Sequence, residues 1–262
     1  MNKGTAPKAI AIIPSRYESQ RFPGKPLALI AGKSLIQRTY ENALHCKSLD
    51  DVVVATDDQR ILDHVLSFGG KVIMTSQNCA TGTDRLAEVL KNTDLCNDVD
   101  IILNIQGDEP CLSHKVITDV INLLHNDQEA VMGTAAAPLT SLEEASRPSV
   151  VKCVIDQQGN ALYFSRALIP AGKTQALQEN SLIYRHLGIY AFRKEFLSQY
   201  GDLPPTPLQM TEDLEQLKVL EHGYRIKVAI VDEVAIGVDT PEDISKLEKF
   251  LCKQNTFSSQ AE

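Results

Sequence analysis

The chain has 262 residues, 43% of them hydrophobic and 23% charged, the balance of a globular protein long enough to bury a sizeable core. A net charge of -8 at pH 7 sets the whole-molecule field against nucleic acid, so an anion would have to be held in a local pocket. No apolar run reaches membrane-spanning length, and the one at 9–13 is too brief for a signal-peptide core; neither a membrane nor a nucleic-acid partner is expected, and a cytoplasmic location is.

The first apolar run, 8–13, reads as a strand, and Ser34 is placed to cap a helix reaching Cys46. DVVVAT (51–56) is a β-branched strand, 59–68 a helix, 71–74 a third strand and 83–91 a helix. DIILNI (100–105) is a fourth strand, followed by a helix over 114–125 and an extended run over 130–137. Runs apolar on both faces and separated by helices predict a doubly wound, mostly parallel, Rossmann-like α/β sheet covered on both sides. Residues 149–166 then read as two strands around a turn at 157–160, 169–181 as a loop and 184–192 as extended chain. Together they suggest an antiparallel insert over 149–200 within a single domain, 1–262. A helix through 211–222, a strand at 225–231 and a helix from Pro241 complete the domain, with the polar tail after Cys252 expected to fray. The six cysteines show no CxxC pair and no zinc spacing, which predicts free thiols in a reducing compartment, acting as small hydrophobes.

Ligands of open α/β sheets sit at the carboxyl ends of the strands. The loop after the first strand, SRYESQRFPGKPL, carries Arg16, Arg21 and Lys25 on a segment stiffened by Pro23 and Pro26, which suits a polyphosphate better than a solvated loop. Neither a Walker A motif nor GxGxxG is present. In NIQGDEP, Asp108 follows a strand and is either a magnesium ligand or the end of a turn. Asp239, in GVDTPEDI, either caps the last helix or faces Asp108 as the second carboxylate of a metal site. In TGTDRLAEV, Thr83 or Ser76 suits a base or ribose and Arg85 a phosphate; the plain alternative is a helix cap with an Arg85–Glu88 pair. Arg185 and His186 lie on an extended stretch, where a lone histidine is more often structural, while Arg185 and Arg166 would favour an acidic substrate.

Eight segments occur in order across 10–245: IIPSRYESQRFPGKPL, ATDD, TGTDRLAEV, NIQGDEP, ALYFSRALIP, RHLGIYAF, LEQLKVLEHGYRIKV and GVDTPEDI. Together they closely resemble the 3-deoxy-manno-octulosonate (Kdo) cytidylyltransferases, the CMP-Kdo synthetase family. The resemblance implies a nucleotide-diphospho-sugar transferase type of fold. It implies a reaction of CTP with Kdo, dependent on Mg2+, that gives CMP-Kdo and pyrophosphate for lipopolysaccharide synthesis. It places Arg16, Ser19, Arg21 and Lys25 on the triphosphate, with Thr83, Arg85 and Asp108 on the nucleotide side. Asp108 and Asp239 would hold the metal, and Arg16, Lys25, Asp108 and Asp239 would carry the chemistry. Gln106, Arg166, His186, Tyr190, Glu215 and Gln216 would line the sugar pocket, and a homodimer would form through the insert. Three features depart from the family pattern: Ser15, Gln209 and the segment AGKTQ at 171–175. A cytidylyltransferase for an 8-amino Kdo analogue or a sialic acid, and a nucleotide-binding protein without catalysis, are the alternatives.

Overall fold

The structure is a computed structural model; it describes residues 8–18, 22–171, 183–232 and 236–258, the last six as backbone only. In chain order it runs β1 (Ala9–Ser15), a 3-10 turn at Lys25–Leu27, the short pair β2 (Leu29–Ile30) and β3 (Lys33–Ser34), α1 (Leu35–Leu44), β4 (Asp51–Thr56), α2 (Gln59–Ser67) and β5 (Val72–Met74). Next come α3 (Gly82–Asn92), β6 (Ile101–Ile105), α4 (His114–Asn126), β7 (Ala130–Leu139), α5 (Leu142–Ala145), β8 (Lys152–Ile155) and β9 (Ala161–Ser165). The last part holds β10 (Ile183–Arg193), α6 (Lys194–Tyr200), α7 (Pro207–Glu212), α8 (Glu215–Glu221), β11 (Arg225–Ile230) and α9 (Pro241–Ser258).

The main sheet has the order β11-β7-β10-β6-β1-β4-β5. Its strands run parallel except β10, which is antiparallel to both β6 and β7. This is the mixed, mostly parallel Rossmann-like sheet that the apolar runs predict. Side chains alternate across it, as a strand requires. Ala9, Ala11 and Ile13 of β1 join the core under α1, α2 and α4. Ile10 and Ile12 join the opposite core, with residues of α3, α6 and α8. From β1 the sheet grows outward to β4 and β5 on one side and starts again at β6 on the other. The loops leaving β1 and β6 therefore flank the point where strand order reverses, the place where such sheets bind ligands.

The hairpin β8–β9 is antiparallel and joins the sheet through Tyr184 and Arg185 of β10. Farther along the same strand, residues 189–193 pair with β6 inside the main sheet. The expected insert is thus continuous with the core, and a β-bulge between Leu187 and Tyr190 marks the change of neighbours.

Two local expectations need correction, and helix α6 was not expected. The helix expected through 211–222 is two helices, because Asp213 takes the left-handed conformation (φ 52°, ψ 53°) and turns the chain between α7 and α8. Aspartate is among the few non-glycine residues that visit this region readily. The tail expected to fray after Cys252 continues as α9 through Ser258. Helix α6 directly continues β10 without a glycine or proline to announce it, and is stabilised by burial of Phe196, Leu197 and Tyr200. Cys46, Cys79, Cys96 and Cys153 are buried as small hydrophobes, but Cys252 is exposed. No helix among the described residues is long and apolar enough to cross a membrane.

Candidate active site

The loop after β1 is closed on itself. Gly24 N–H donates to the Tyr17 carbonyl (2.9 Å), and Gly24 has φ +72° with its Cβ position 3.1 Å from the Tyr17 hydroxyl. Both the backbone sign and the lack of space call for glycine here. The Arg60 guanidinium lies 3.3 Å from the Tyr17 ring centre, a cation–π contact that braces the loop from outside. Lys25 opens the 3-10 turn that follows, with Pro26 next to it.

Lys25 Nζ lies 2.5 Å from Asp108 Oδ2 and 3.7 Å from Asp239 Oδ1. Both carboxylates thus reach one ammonium at the strand ends. The 106–109 turn lies close against β1, since a Cβ on Gly107 would stand 3.3 Å from the Pro14 carbonyl. Val238 N–H donates to the Asp108 carbonyl (3.0 Å), which ties the segment carrying Asp239 to the turn carrying Asp108. The start of α9 is capped by Asp243, which accepts from Asp239 N–H (3.1 Å) and Thr240 N–H (3.0 Å). Glu109 sits behind the pair. Burial, with the Asp108 and Asp239 charges adding to it, pushes the Glu109 carboxyl up to about 8. A Cβ on Gly237 would approach Glu109 Oε1 to 3.1 Å.

Among the described residues no three His, Cys, Asp or Glu side chains are grouped to hold a metal by themselves. Two carboxylates converging on a single ammonium nevertheless show that this spot holds positive charge. The donor set suits magnesium, a hard cation that usually takes one or two carboxylates and completes its shell with water and substrate phosphate.

On the nucleotide side, an Arg16 Nη2–H donates to the Cys79 carbonyl and so joins the cationic loop to the 75–81 segment. Ser19 and Arg21 lie outside the described residues. The expectations for Thr83 and Arg85 are corrected. Thr83 is fully buried, with its Oγ1 3.5 Å from Asn104 Nδ2. Arg85 is fully buried too: its guanidinium pairs with Asp57 Oδ2 (2.9 Å) and donates to the Thr75 hydroxyl. It braces the 75–81 segment from below and is not turned toward a phosphate. Asp57, at the end of β4 in ATDD, is the partner that the sequence reading missed. The helix cap is Thr81, which forms a capping box with Asp84, and Glu88 binds Ser76 N–H (2.7 Å) rather than Arg85.

Four of the residues expected at the sugar share a cavity of about 420 Å3. Gln106, Tyr190, Glu215 and Gln216 line it together, with Thr81, Gly82, Gln209, Met210 and Asp213. Tyr190 donates to Gln216 Oε1 (3.2 Å), while the buried Gln216 amide nitrogen has no partner among the described residues. Burial raises the Glu215 carboxyl and carries the Tyr190 phenol well above its ordinary value. A neutral phenol and an unpaired amide donor suit a hydroxyl-rich ligand.

Two other expected sugar residues lie elsewhere. His186 lines a separate small chamber with Arg185 and Glu109, reached by Gln106 from the acceptor cavity. Its ring is 4.9 Å from Phe164 and 5.5 Å from Tyr190, and Nε2 is 3.0 Å from the Thr134 hydroxyl. Burial pushes its pKa down to about 3. His186 is thus neutral in the fold, while an unfolded histidine takes a proton near pH 6.5. Stability from this group is fully present above about pH 6.5 and is lost as pH falls toward 3, with a slope approaching about 1.4 kcal/mol per pH unit. Thermal scans from pH 7 to 4 should therefore show a shallower loss of Tm in His186→Gln than in wild type; parallel curves would contradict this. Arg166 is turned away from the cavity onto backbone carbonyls of α7 and the loop before β8.

A larger cavity, about 800 Å3, lies between α1, the start of α4 and α9, and is lined by none of the predicted site residues.

A cationic loop at one strand end, with Lys25 reaching two carboxylates and a cavity lined by Gln106 from the next strand end, is the arrangement of a nucleotidyltransferase of the Rossmann-like kind. The cytidylyltransferase family matches residues 10–227. A 3-deoxy-manno-octulosonate cytidylyltransferase from Protochlamydia amoebophila (strain UWE25) is 61% identical over 95% of this chain and 96% of its own. One from Chlamydia abortus (strain DSM 27085 / S26/3) is 51% identical over 96% of each. Among solved structures, a CMP:2-keto-3-deoxy-manno-octonic acid synthetase complexed with CTP superposes with a TM-score of 0.87 at 38% identity, covering 94% of this chain and 99% of the other. A 4-diphosphocytidyl-2C-methyl-D-erythritol synthase from Anaerococcus prevotii DSM 20548 shares the fold, at TM-score 0.61 and 16% identity over 94% of this chain and 99% of its own. The chain belongs to the 3-deoxy-manno-octulosonate cytidylyltransferase family.

Proposed function

We propose that this protein transfers a cytidylyl group from CTP to Kdo, releasing pyrophosphate. Family membership sets the reaction class, and the convergence on Lys25 of Asp239 and of Asp108, which is two residues along the chain from Gln106 of the cavity wall, is the observation that carries it. The anomeric hydroxyl oxygen of the sugar attacks the α-phosphorus in line. The new C–O–P link forms as the bond to the β-phosphate oxygen breaks, and the hydroxyl proton is lost to solvent. Positioning and charge neutralisation supply most of the catalysis in such transfers. Lys25 and Arg16, with Arg21 beside them in sequence, neutralise the triphosphate. Tyr17, Gly24 and Arg60 keep that loop closed. Gln106, Tyr190 and Gln216 orient the sugar hydroxyls. Asp108 and Asp239 would hold Mg2+, which when bound neutralises charge building on the phosphate oxygens.

The same reading carries a homodimer built through the β8–β10 region, a cytoplasmic location and a place in lipopolysaccharide synthesis. The acceptor is tested by mass spectrometry of products from CTP with Kdo, an 8-amino Kdo analogue or N-acetylneuraminate. CMP-Kdo as the dominant product supports the proposal. A dominant product with either other sugar moves the acceptor and leaves the site intact.

A further inference from the structure

Arg166 and Glu212 hold one another across the gap between the β8–β9 hairpin and α7. The Glu212 carboxylate accepts from the Ser165 hydroxyl (2.6 Å) and from Arg166 N–H (2.8 Å). In return the Arg166 guanidinium donates through Nε to the Glu212 carbonyl (2.7 Å) and through Nη2 to the Asp213 carbonyl (3.1 Å). Its Nη1 reaches the Pro148 carbonyl (3.3 Å). Helix ends leave such carbonyls without internal partners, and a planar fork meets several at once. Burial works to raise the Glu212 pKa, but the Arg166 and Ser165 hydrogen bonds outweigh it and keep the carboxylate ionised.

The other side of the joint is equally fixed. Lys152, fully buried, donates to the carbonyls of Arg147 (3.1 Å), Val150 (2.6 Å) and Arg166 (2.6 Å). Arg166 therefore stands on a rigid base and grips the corner at which Asp213 reverses the chain. Immediately after that corner come Glu215 and Gln216, the α8 residues that line the acceptor cavity.

We propose that Arg166 and Glu212 are a positioning pair for the acceptor: they set the 212–216 corner, and through it Glu215 and Gln216, without touching the sugar. The inference rests on the cytidylyltransferase reading of this site. A displacement of about 1 Å at a reacting centre can cost on the order of 100-fold in rate, so the pair should matter to the acceptor and not to CTP.

The test is steady-state kinetics of Arg166→Ala, Glu212→Gln and the double variant, with each substrate varied in turn. Each single variant should lower kcat/KM for the sugar by about 10-fold or more, leave the KM for CTP within about twofold, and combine to little more than either alone. Arg166→Lys, which keeps the charge but not the fork, should not restore the sugar kinetics. Wild-type sugar kinetics in Glu212→Gln would overturn the proposal, as would additive losses or equal losses for both substrates. If wild-type protein shows no turnover with any acidic sugar, the reaction reading fails separately. The pair is then judged by amide hydrogen exchange over 209–217, expected to be faster in both single variants; unchanged exchange would overturn it.

Discussion

Replacing Asp108 with alanine should abolish turnover while leaving the fold in place. The carboxylate stands on the turn leaving β6, 2.5 Å from Lys25 Nζ, with a side chain about 30% exposed. The bonds that shape the turn are made by backbone: Glu109 N–H to the Gln106 carbonyl (3.1 Å) and Val238 N–H to the Asp108 carbonyl (3.0 Å). Both survive the substitution. Lys25 keeps Asp239 Oδ1, 3.7 Å away, as a second partner, so its ammonium is not left uncompensated and Tm should move by no more than a few degrees. Activity is different, because removing one preorganised charge at a reacting centre costs about 100- to 1,000-fold, and here one of the two carboxylates that reach Lys25 among the described residues is lost. Pyrophosphate release at ordinary magnesium, measured beside a thermal scan, checks both halves. Wild-type-like activity would remove Asp108 from the chemistry, and an unfolded variant would show that the carboxylate is structural.

The second large effect is expected from Lys25→Ala. Lys25 is the described residue of the cationic loop that reaches both carboxylates, and its side chain is only about 15% exposed. Its ammonium is held at the junction of the triphosphate loop and the carboxylate pair, where incoming phosphate charge has to be met. Without it, Asp108 and Asp239 face the triphosphate with less compensation, and like charges in a half-buried site are costly. The variant should lose about 100-fold or more in kcat/KM for CTP, with the sugar KM changed far less. Arg16, held to the Cys79 carbonyl on the other side of the loop, does not reach the same place. A CTP dependence equal to wild type would contradict the clamp.

Much of this site follows from strand endings. DVVVAT and DIILNI announce buried parallel strands, and the residues just beyond strand ends are where α/β sheets place their chemistry. That reasoning reaches Arg16, Lys25 and Asp108 directly. It leaves the partnership of Asp108 with Asp239 open, because 130 residues of chain separate them and only the fold brings them together. Arg85 was misread because an arginine in the first turn of a helix looks exposed in sequence. Its burial depends on Asp57, a residue of another strand end. Arg166 was misread for a similar reason: a basic residue suggests an acidic ligand, whereas its donors go to the carbonyls of a helix end. His186 lies on an alternating strand beside a bulge, and its neighbours Phe164 and Thr134 come from two other strands. Glu109 carried no separate signal beside Asp108. The break at Asp213 was hidden because the apolar spacing of LEQLKVL extends plausibly back through α7.

The most direct test of the account is pyrophosphate release by the wild-type protein with magnesium and Kdo, comparing CTP, ATP, GTP and UTP. Release with CTP, strongly preferred over the other three and absent when Kdo is omitted, is the predicted result. Folded protein that binds CTP but releases no pyrophosphate with Kdo would contradict it.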